Sequence, residues 1–97
     1  MTSITYMHTD ERIRFVAKVP KGMRVTNATV SLHEVLLDAT VDISSSINLH
    51  IERTTKRKAI TSPVEGIQLG CKYFLSFTVW CGDVVFSFDR YIMVRKW

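Results

Sequence analysis

The feature that most constrains the fold is a pair of alternating segments, 73–80 and 84–94, separated by Cys81-Gly82-Asp83. Apolar side chains recur at every second position of both segments, which is the period of a β-strand. Glycine suits the first central position of a type II′ turn because that position needs a positive φ. The sequence therefore predicts a long antiparallel hairpin with Val79 opposite Phe86.

Both faces of this predicted hairpin are apolar. The inner face of its first strand carries Tyr73, Leu75, Phe77 and Val79. The outer face carries the candidate interface residues Phe74, Trp80, Val85, Tyr91 and Met93. Clustered aromatic and Met side chains are typical of interfaces, so we expect another subunit to bury the outer face. The alternatives are cover by the loop Val35–Thr40 or by the N-terminal residues, and an exchange of the two faces.

Arg90 falls on the inner face of the predicted hairpin, opposite Leu75. An unpaired charge in a protein core is costly. We therefore expect either a β-bulge near Arg90 or a carboxylate that pairs with it.

The remaining chain also favours strands over helices. Val, Ile, Thr and aromatic residues number 39 of 97, and such side chains fit a pleated, half-buried surface. Alternation predicts strands at 12–19, 28–32, 41–43, 47–52 and 58–61, and segment 33–39 fits either a strand end or a helical turn. About seven short strands without βαβ alternation predict a single antiparallel β-sandwich and make parallel pairing improbable. Residues 1–10 form an N-terminal arm or first strand, and residues 11–97 form the sandwich domain.

Two cysteines, Cys71 and Cys81, bracket the predicted strand 72–80. Ten residues at about 3.3 Å each place their Cα atoms far beyond the roughly 7 Å that a disulfide allows. We expect free thiols, which are typical of a reducing compartment. The N-terminal residues show no signal peptide, since a basic region followed by an apolar core is missing.

The formal net charge of +4 is concentrated in segment 53–58. Its cations Arg53, Lys56, Arg57 and Lys58 are candidates for contact with nucleic acid or with an acidic partner. No aromatic residue is interleaved within 52–59 to stack on bases. The favoured interpretation is therefore a solvated hairpin loop or a charged sheet edge, and nucleic acid is an unlikely partner.

The polar residues of the sequence form no recognisable catalytic or metal site. The histidines are His8, His33 and His50. His33 and His50 occupy polar strand positions and offer at most a metal pair, whereas a structural zinc site takes four ligands. Nucleophile motifs, phosphate-binding loops and carboxylate pairs at a fixed spacing are missing from the sequence. We expect no catalytic residue, no metal and no cofactor, and hence a protein that is not an enzyme.

Segment 67–79 resembles the corner before the penultimate strand of immunoglobulin-like and fibronectin-III-like domains. An apolar residue and Gly70 precede Tyr73. The resemblance implies that the Tyr73 hydroxyl forms a hydrogen bond back to the backbone, an arrangement called a tyrosine corner. The Cys–Trp–Cys pattern of antibody domains is absent. The resemblance implies an all-β, immunoglobulin-like or fibronectin-III-like sandwich.

A narrower resemblance covers about residues 12–95. Three segments are similar to those of small immunoglobulin-like virion proteins of tailed phages. They are an opening strand that ends in Val19-Pro20, the strand segment 28–32 and the closing hairpin 70–94. The pair Trp80-Cys81 departs from that pattern, in which Thr or Ser is commoner. The resemblance implies a virion protein assembled in the host cytoplasm.

We therefore expect a phage structural protein of the capsid, neck or tail that acts by protein–protein assembly. Its partners are other virion proteins and further copies of itself, with no membrane contact, and Trp97 adds a C-terminal aromatic anchor to the interface. The alternative function is a soluble immunoglobulin-like binding module or inhibitor that binds a host or cellular protein.

Overall fold

The structure, a computed structural model, describes residues 3–68 and 70–95. The strands are β1 (Ser3–His8), β2 (Val16–Lys18), β3 (Asn27–Val35), β4 (Thr40–Asp42), β5 (Ile51–Thr54), β6 (Lys58–Thr61), β7 (Lys72–Cys81) and β8 (Val84–Arg95). Five strands form one sheet in the order β1-β8-β7-β3-β4, and three form a second sheet in the order β2-β6-β5. The two sheets enclose one hydrophobic core, as the sandwich prediction requires.

The β7–β8 hairpin has the predicted register. Cys81 pairs with Val84 across the turn, and Val79 pairs with Phe86. Gly82 has a φ of 63°, as the first central position of a type II′ turn requires. The inner side chains of β7 are buried, with Leu75 only 1% exposed, which excludes the alternative in which the two faces are exchanged.

Arg90 lies opposite Leu75 as predicted, but the expectation of a β-bulge or a carboxylate partner is wrong. Pairing between β7 and β8 runs through Arg90 without a register shift. Arg90 Nη1 donates a hydrogen bond to Thr5 Oγ1 at 2.6 Å, and the guanidinium lies 5.9 Å from the Phe15 ring centroid. Arg90 is exposed, because the smaller sheet leaves this margin of the core open to water.

β1 pairs with β8 in parallel, from Ser3 opposite Arg90 to His8 opposite Arg95. The prediction that parallel pairing is improbable is therefore wrong for this pair. Strands from opposite ends of a chain need no crossover helix between them, so the absence of βαβ alternation does not bear on their pairing. Met7 is completely buried, so the described part of the N-terminal segment belongs to the sandwich.

Three other boundaries differ from the sequence prediction. The strand predicted at 12–19 is reduced to β2, Val16–Lys18, with only an isolated bridge between Ile13 and Val64 before it. β3 continues to Val35, and the Leu36 N–H donates to the Ala39 carbonyl at 2.8 Å, so a β-hairpin turn replaces the possible helical turn. The strand predicted at 47–52 begins only at Ile51, since residues 44–48 form turns and Asn48 has a φ of 54°. Alternation misled there because side chains of a compact turn also pack against the core.

A hydrogen bond at the start of β7 closes the corner between the two sheets. The Gln68 backbone N–H donates to the Tyr73 hydroxyl at 3.0 Å, and Tyr73 is 2% exposed. Leu75 stands two residues later, where antibody domains carry the second cysteine, and it pairs with the fully buried Leu32 of β3. Aliphatic packing thus takes the place of a disulfide at the centre of the sandwich.

Replacing Tyr73 by Phe keeps the ring and removes the acceptor for the Gln68 N–H. We expect Tyr73→Phe to lower the free energy of unfolding by about 0.5–1.5 kcal/mol, the usual net contribution of an intramolecular hydrogen bond. Urea denaturation measures this change. Tyr6→Phe alters an exposed phenol and is the matched control. Equal losses in the two variants would contradict the role given to the corner.

Ionisation of the same phenol makes the free energy of unfolding decrease at alkaline pH. Burial raises the pKa of Tyr73 above its ordinary value of 10.0. The folded protein therefore holds this proton after the unfolded chain has lost it, so the stabilisation is complete below pH 10.0 and declines as the pH rises through the folded-state pKa. We expect a shallower alkaline decline for Tyr73→Phe in urea denaturation at a series of alkaline pH values. Parallel curves for the two proteins would show that another group causes the decline.

Candidate protein-binding surface

The outer face of the five-stranded sheet is built from rows of side chains that cross the strands. One row contains Asp42, His33, Phe74, Tyr91 and Ile4. The next row contains Thr40, Val35, Lys72, Met93 and Tyr6. We call Ile4, Tyr6, Phe74, Tyr91 and Met93 the aromatic end of this face.

The aromatic end is packed internally and open to solvent. The rings of Phe74 and Tyr91 lie 5.1 Å apart with their planes at 58°. Ile4 and Tyr6 are 54% and 52% exposed, whereas Phe74, Tyr91 and Met93 are half-buried by their neighbours. Rings held in this way lose little conformational freedom when a partner covers them.

Two cations lie on the rings of the aromatic end. Lys72 Nζ is 4.3 Å from the ring centroid of Tyr91, and the Arg95 guanidinium is 4.3 Å from that of Tyr6. Such cation–π contacts hold both charges against the apolar surface. The surface is thus both hydrophobic and positively charged.

Small polar side chains cover the middle of the same face. The next two rows contain Ser31, Ser76 and Asp89, and Thr29, Thr78 and Ser87. The Ser76 hydroxyl donates to Asp89 Oδ1 at 3.1 Å, so this carboxylate has a partner within the sheet. We call these two rows the polar belt.

The polar belt divides the interface that the sequence predicts. Trp80 and Val85 face each other beyond the belt, six residues from Phe74 along β7, which is about 20 Å at the rise of a β-strand. Phe74, Tyr91 and Met93 therefore share one patch, and Trp80 and Val85 form another. Trp97 lies outside the described residues.

Sequence reasoning missed the contribution of β1 to this surface. Ile4 and Tyr6 complete the aromatic end because β1 adds to the sheet beside β8. Alternation over residues 3–8 is a signal for a strand, but it does not indicate which strand is the neighbour. The loop Val35–Thr40 was one candidate cover for this face, and instead it forms a hairpin tip whose Leu37 is 104% exposed.

The basic segment forms the turn between β5 and β6. Arg53, Lys56 and Lys58 are exposed, while Arg57 is half-buried and its Nε has no hydrogen-bond partner within the described chain. The Val25 N–H donates to the Lys56 carbonyl, and the Thr26 N–H donates to the Trp80 carbonyl. These bonds place the basic turn at the Trp80 end of the sandwich, away from the aromatic end.

The other candidate polar residues are dispersed. His33 Nε2 lies 3.8 Å from Asp42 Oδ2 on β4, whereas His50 Nδ1 lies 2.7 Å from the Asn48 carbonyl just before β5 of the other sheet. Hydrogen bonds from the hydroxyl and the backbone N–H of Ser44 lower the pKa of Asp42 below its ordinary 3.8. Within residues 3–68 and 70–95, no three His, Cys, Asp or Glu side chains are grouped as metal ligands would be.

Cys71 and Cys81 are free thiols at the two ends of β7. Over the part of the chain that the structure describes, no helix has the length and hydropathy needed to cross a membrane.

Comparison with known proteins identifies the fold. No family model matches the chain, and no curated protein matches it. Eleven solved chains are similar, and one of them is murine CRIg, with a TM-score of 0.58 over 97% of this chain and 93% of that chain. The fold is an all-β immunoglobulin-like sandwich. At 12% sequence identity, this similarity establishes the fold alone.

Proposed function

We propose that this chain is a non-enzymatic immunoglobulin-like module that binds a protein partner through the aromatic end of its five-stranded sheet. The observation that carries the proposal is the exposure of Ile4 and Tyr6 beside the packed pair Phe74 and Tyr91. A contiguous apolar patch on one sheet face is typical of a protein-binding site, whereas single exposed apolar residues are not.

The composition of the aromatic end favours a protein with acidic side chains as its partner. Lys72 and Arg95 are held on the rings, so a partner that covers the rings also approaches these two charges. The same surface on a second copy would bring like charges together unless the copies were offset. An acidic, partly apolar surface therefore fits the aromatic end better, and the net charge of +4 speeds its approach.

The polar belt sets one boundary of the proposed site. Ser and Thr side chains are small and remain hydrated, which is typical of an interface rim. The aromatic end then acts as the central, water-excluding part of the interface. Interfaces usually gain most of their affinity from a few such aromatic and Arg side chains.

Dispersal of the reactive side chains supports a function in binding rather than catalysis. His33 pairs with exposed Asp42, and the raised pKa of Tyr73 follows mainly from its burial in a structural corner. The Tyr73 hydroxyl accepts the Gln68 N–H within the corner, and the His33–Asp42 pair lies on the outer face of the five-stranded sheet, so these groups form no common site.

The setting in which such a module works is a second, finer proposal. Resemblance of the opening strand and closing hairpin to phage proteins supports assembly onto a virion, with further copies and other virion proteins as partners. The alternative is a module or inhibitor that binds a host or cellular protein. A partner encoded by the phage would favour the first setting, and a partner encoded by the host would favour the second.

Substitution on β1 tests the proposed surface. Tyr6→Ser removes an exposed ring and is expected to weaken partner binding by about tenfold or more, as loss of an aromatic anchor does. The assay captures the partner on immobilised protein, identifies it by mass spectrometry, and then measures its affinity for each purified variant.

Val16→Ser is the matched control, because Val16 is also 52% exposed but belongs to the other sheet. Both variants should keep the circular dichroism spectrum and melting temperature of the wild-type protein. Unchanged affinity for Tyr6→Ser, or an equal loss for Val16→Ser, would contradict the proposed site.

A further inference from the structure

Half of β8 has an uncovered edge. β1 pairs with β8 only from Arg90 onward, so residues 84–89 have β7 on one side and no strand of the described chain on the other. We call residues 84–89 the open edge. Beside it, a cavity of about 260 Å³ separates β8 from β2 and is lined in part by Phe15, Phe77 and Phe88.

Hairpin geometry determines which backbone groups of the open edge face outward. Cys81 and Val84 flank the two-residue turn, so they form the hydrogen-bonded pair that closes the hairpin. Hydrogen-bonded and non-hydrogen-bonded pairs alternate in an antiparallel ladder. The N–H and carbonyl groups of Val85, Ser87 and Asp89 therefore point away from β7 and are available to another strand.

The open edge lacks the features that usually prevent strand addition. Its first five residues are uncharged, it contains no proline, and its pairing with β7 shows no bulge. By contrast, β2 and β4 are three residues long and end in Lys18 and Asp42, and β5 has a register shift at its start. Strand addition is thus less hindered at the open edge than at β2, β4 or β5.

We propose that the open edge pairs antiparallel with the open edge of a second copy of this chain, with a two-fold axis at Ser87. In this register Ser87 faces Ser87 of the second copy, and Val85 faces Asp89 of the second copy. All three outward-facing residues of each copy then form hydrogen-bonded pairs. Two five-stranded sheets become one continuous sheet of ten strands.

Side chains on the inner face favour the same register. Phe86 and Phe88 are half-buried, with ring centroids 6.3 Å apart at the margin of the core. The register sets Phe86 opposite Phe88 of the second copy, so four rings meet across the seam. Aromatic cross-strand pairs of this kind stabilise sheets.

Charges select this register over its neighbour. A shift that sets Phe86 opposite Phe86 of the second copy would place Asp83 opposite Asp89, and like charges directly opposite are destabilising. In the proposed register, Asp89 instead faces the uncharged Val85 of the second copy.

The seam is short, so the proposed dimer is weak. Five residues at about 3.4 Å each make a seam about 17 Å long, which belongs with the smaller protein interfaces. We expect a reversible monomer–dimer equilibrium in the micromolar to millimolar range, to be measured by sedimentation velocity over that range. The open edge is separate from the aromatic end, so each proposal can be tested without the other.

Charge substitutions at Ser87 test the two-fold register. Ser87→Lys and Ser87→Glu each place like charges on the axis and should weaken self-association by about fivefold. An equimolar mixture of the two variants should restore it, since opposite charges then meet. Val41→Lys adds the same charge to an exposed residue on the opposite edge of the sheet and should leave self-association unchanged.

Each outcome decides the proposal. Dimerisation of the wild-type protein, its weakening by about fivefold in both single variants and its recovery in the mixture would support the seam. A wild-type monomer at every concentration would overturn it and would leave the open edge as a site for an extended segment of another protein. Self-association that is insensitive to Ser87→Lys, or no recovery in the mixture, would also overturn it. Unchanged circular dichroism spectra confirm that the variants fold.

Discussion

β7 is hydrogen-bonded to β8 on one side and to β3 on the other over almost its whole length, and the other features depend on this strand. Its inner side chains form the centre of the core, where Leu75 packs beside Leu32. Its outer side chains alternate with them and therefore face away from the second sheet. The corner at Tyr73 sets where the strand begins, and the turn at Gly82 sets where it ends.

Unequal sheets create both surfaces to which we assign a role. The five-stranded sheet has an outer face that the rest of the described chain leaves uncovered, and the aromatic end lies on it. At its margin, β1 covers β8 only from Arg90, so within the described chain residues 84–89 pair with β7 on one side and with no strand on the other. A longer β1 would remove the open edge and leave the aromatic end intact. The two surfaces therefore have separate structural origins.

The two surfaces also differ in the chemistry that they offer. The aromatic end combines rings with the cations Lys72 and Arg95, so it discriminates against a surface of like charge. The open edge offers backbone groups and two phenylalanines, which another copy matches by symmetry. A module with both surfaces can bind a foreign protein while it pairs with itself. Pairing then presents two aromatic ends at once and strengthens attachment to a repeating surface through multivalency.

Local chemistry in the sequence determined most of the strands, the β7–β8 register, the corner at Tyr73 and the inner face of the core. Alternation, a glycine at a turn and an apolar strand centre act over a few residues and can be read directly. Tertiary structure alone decided the parallel pairing of β1, the position of Arg90 at an open margin and the separation of Trp80 from Phe74 by the polar belt. These features depend on which distant strands become neighbours and how far each covers the next, and no short stretch of sequence encodes that geometry.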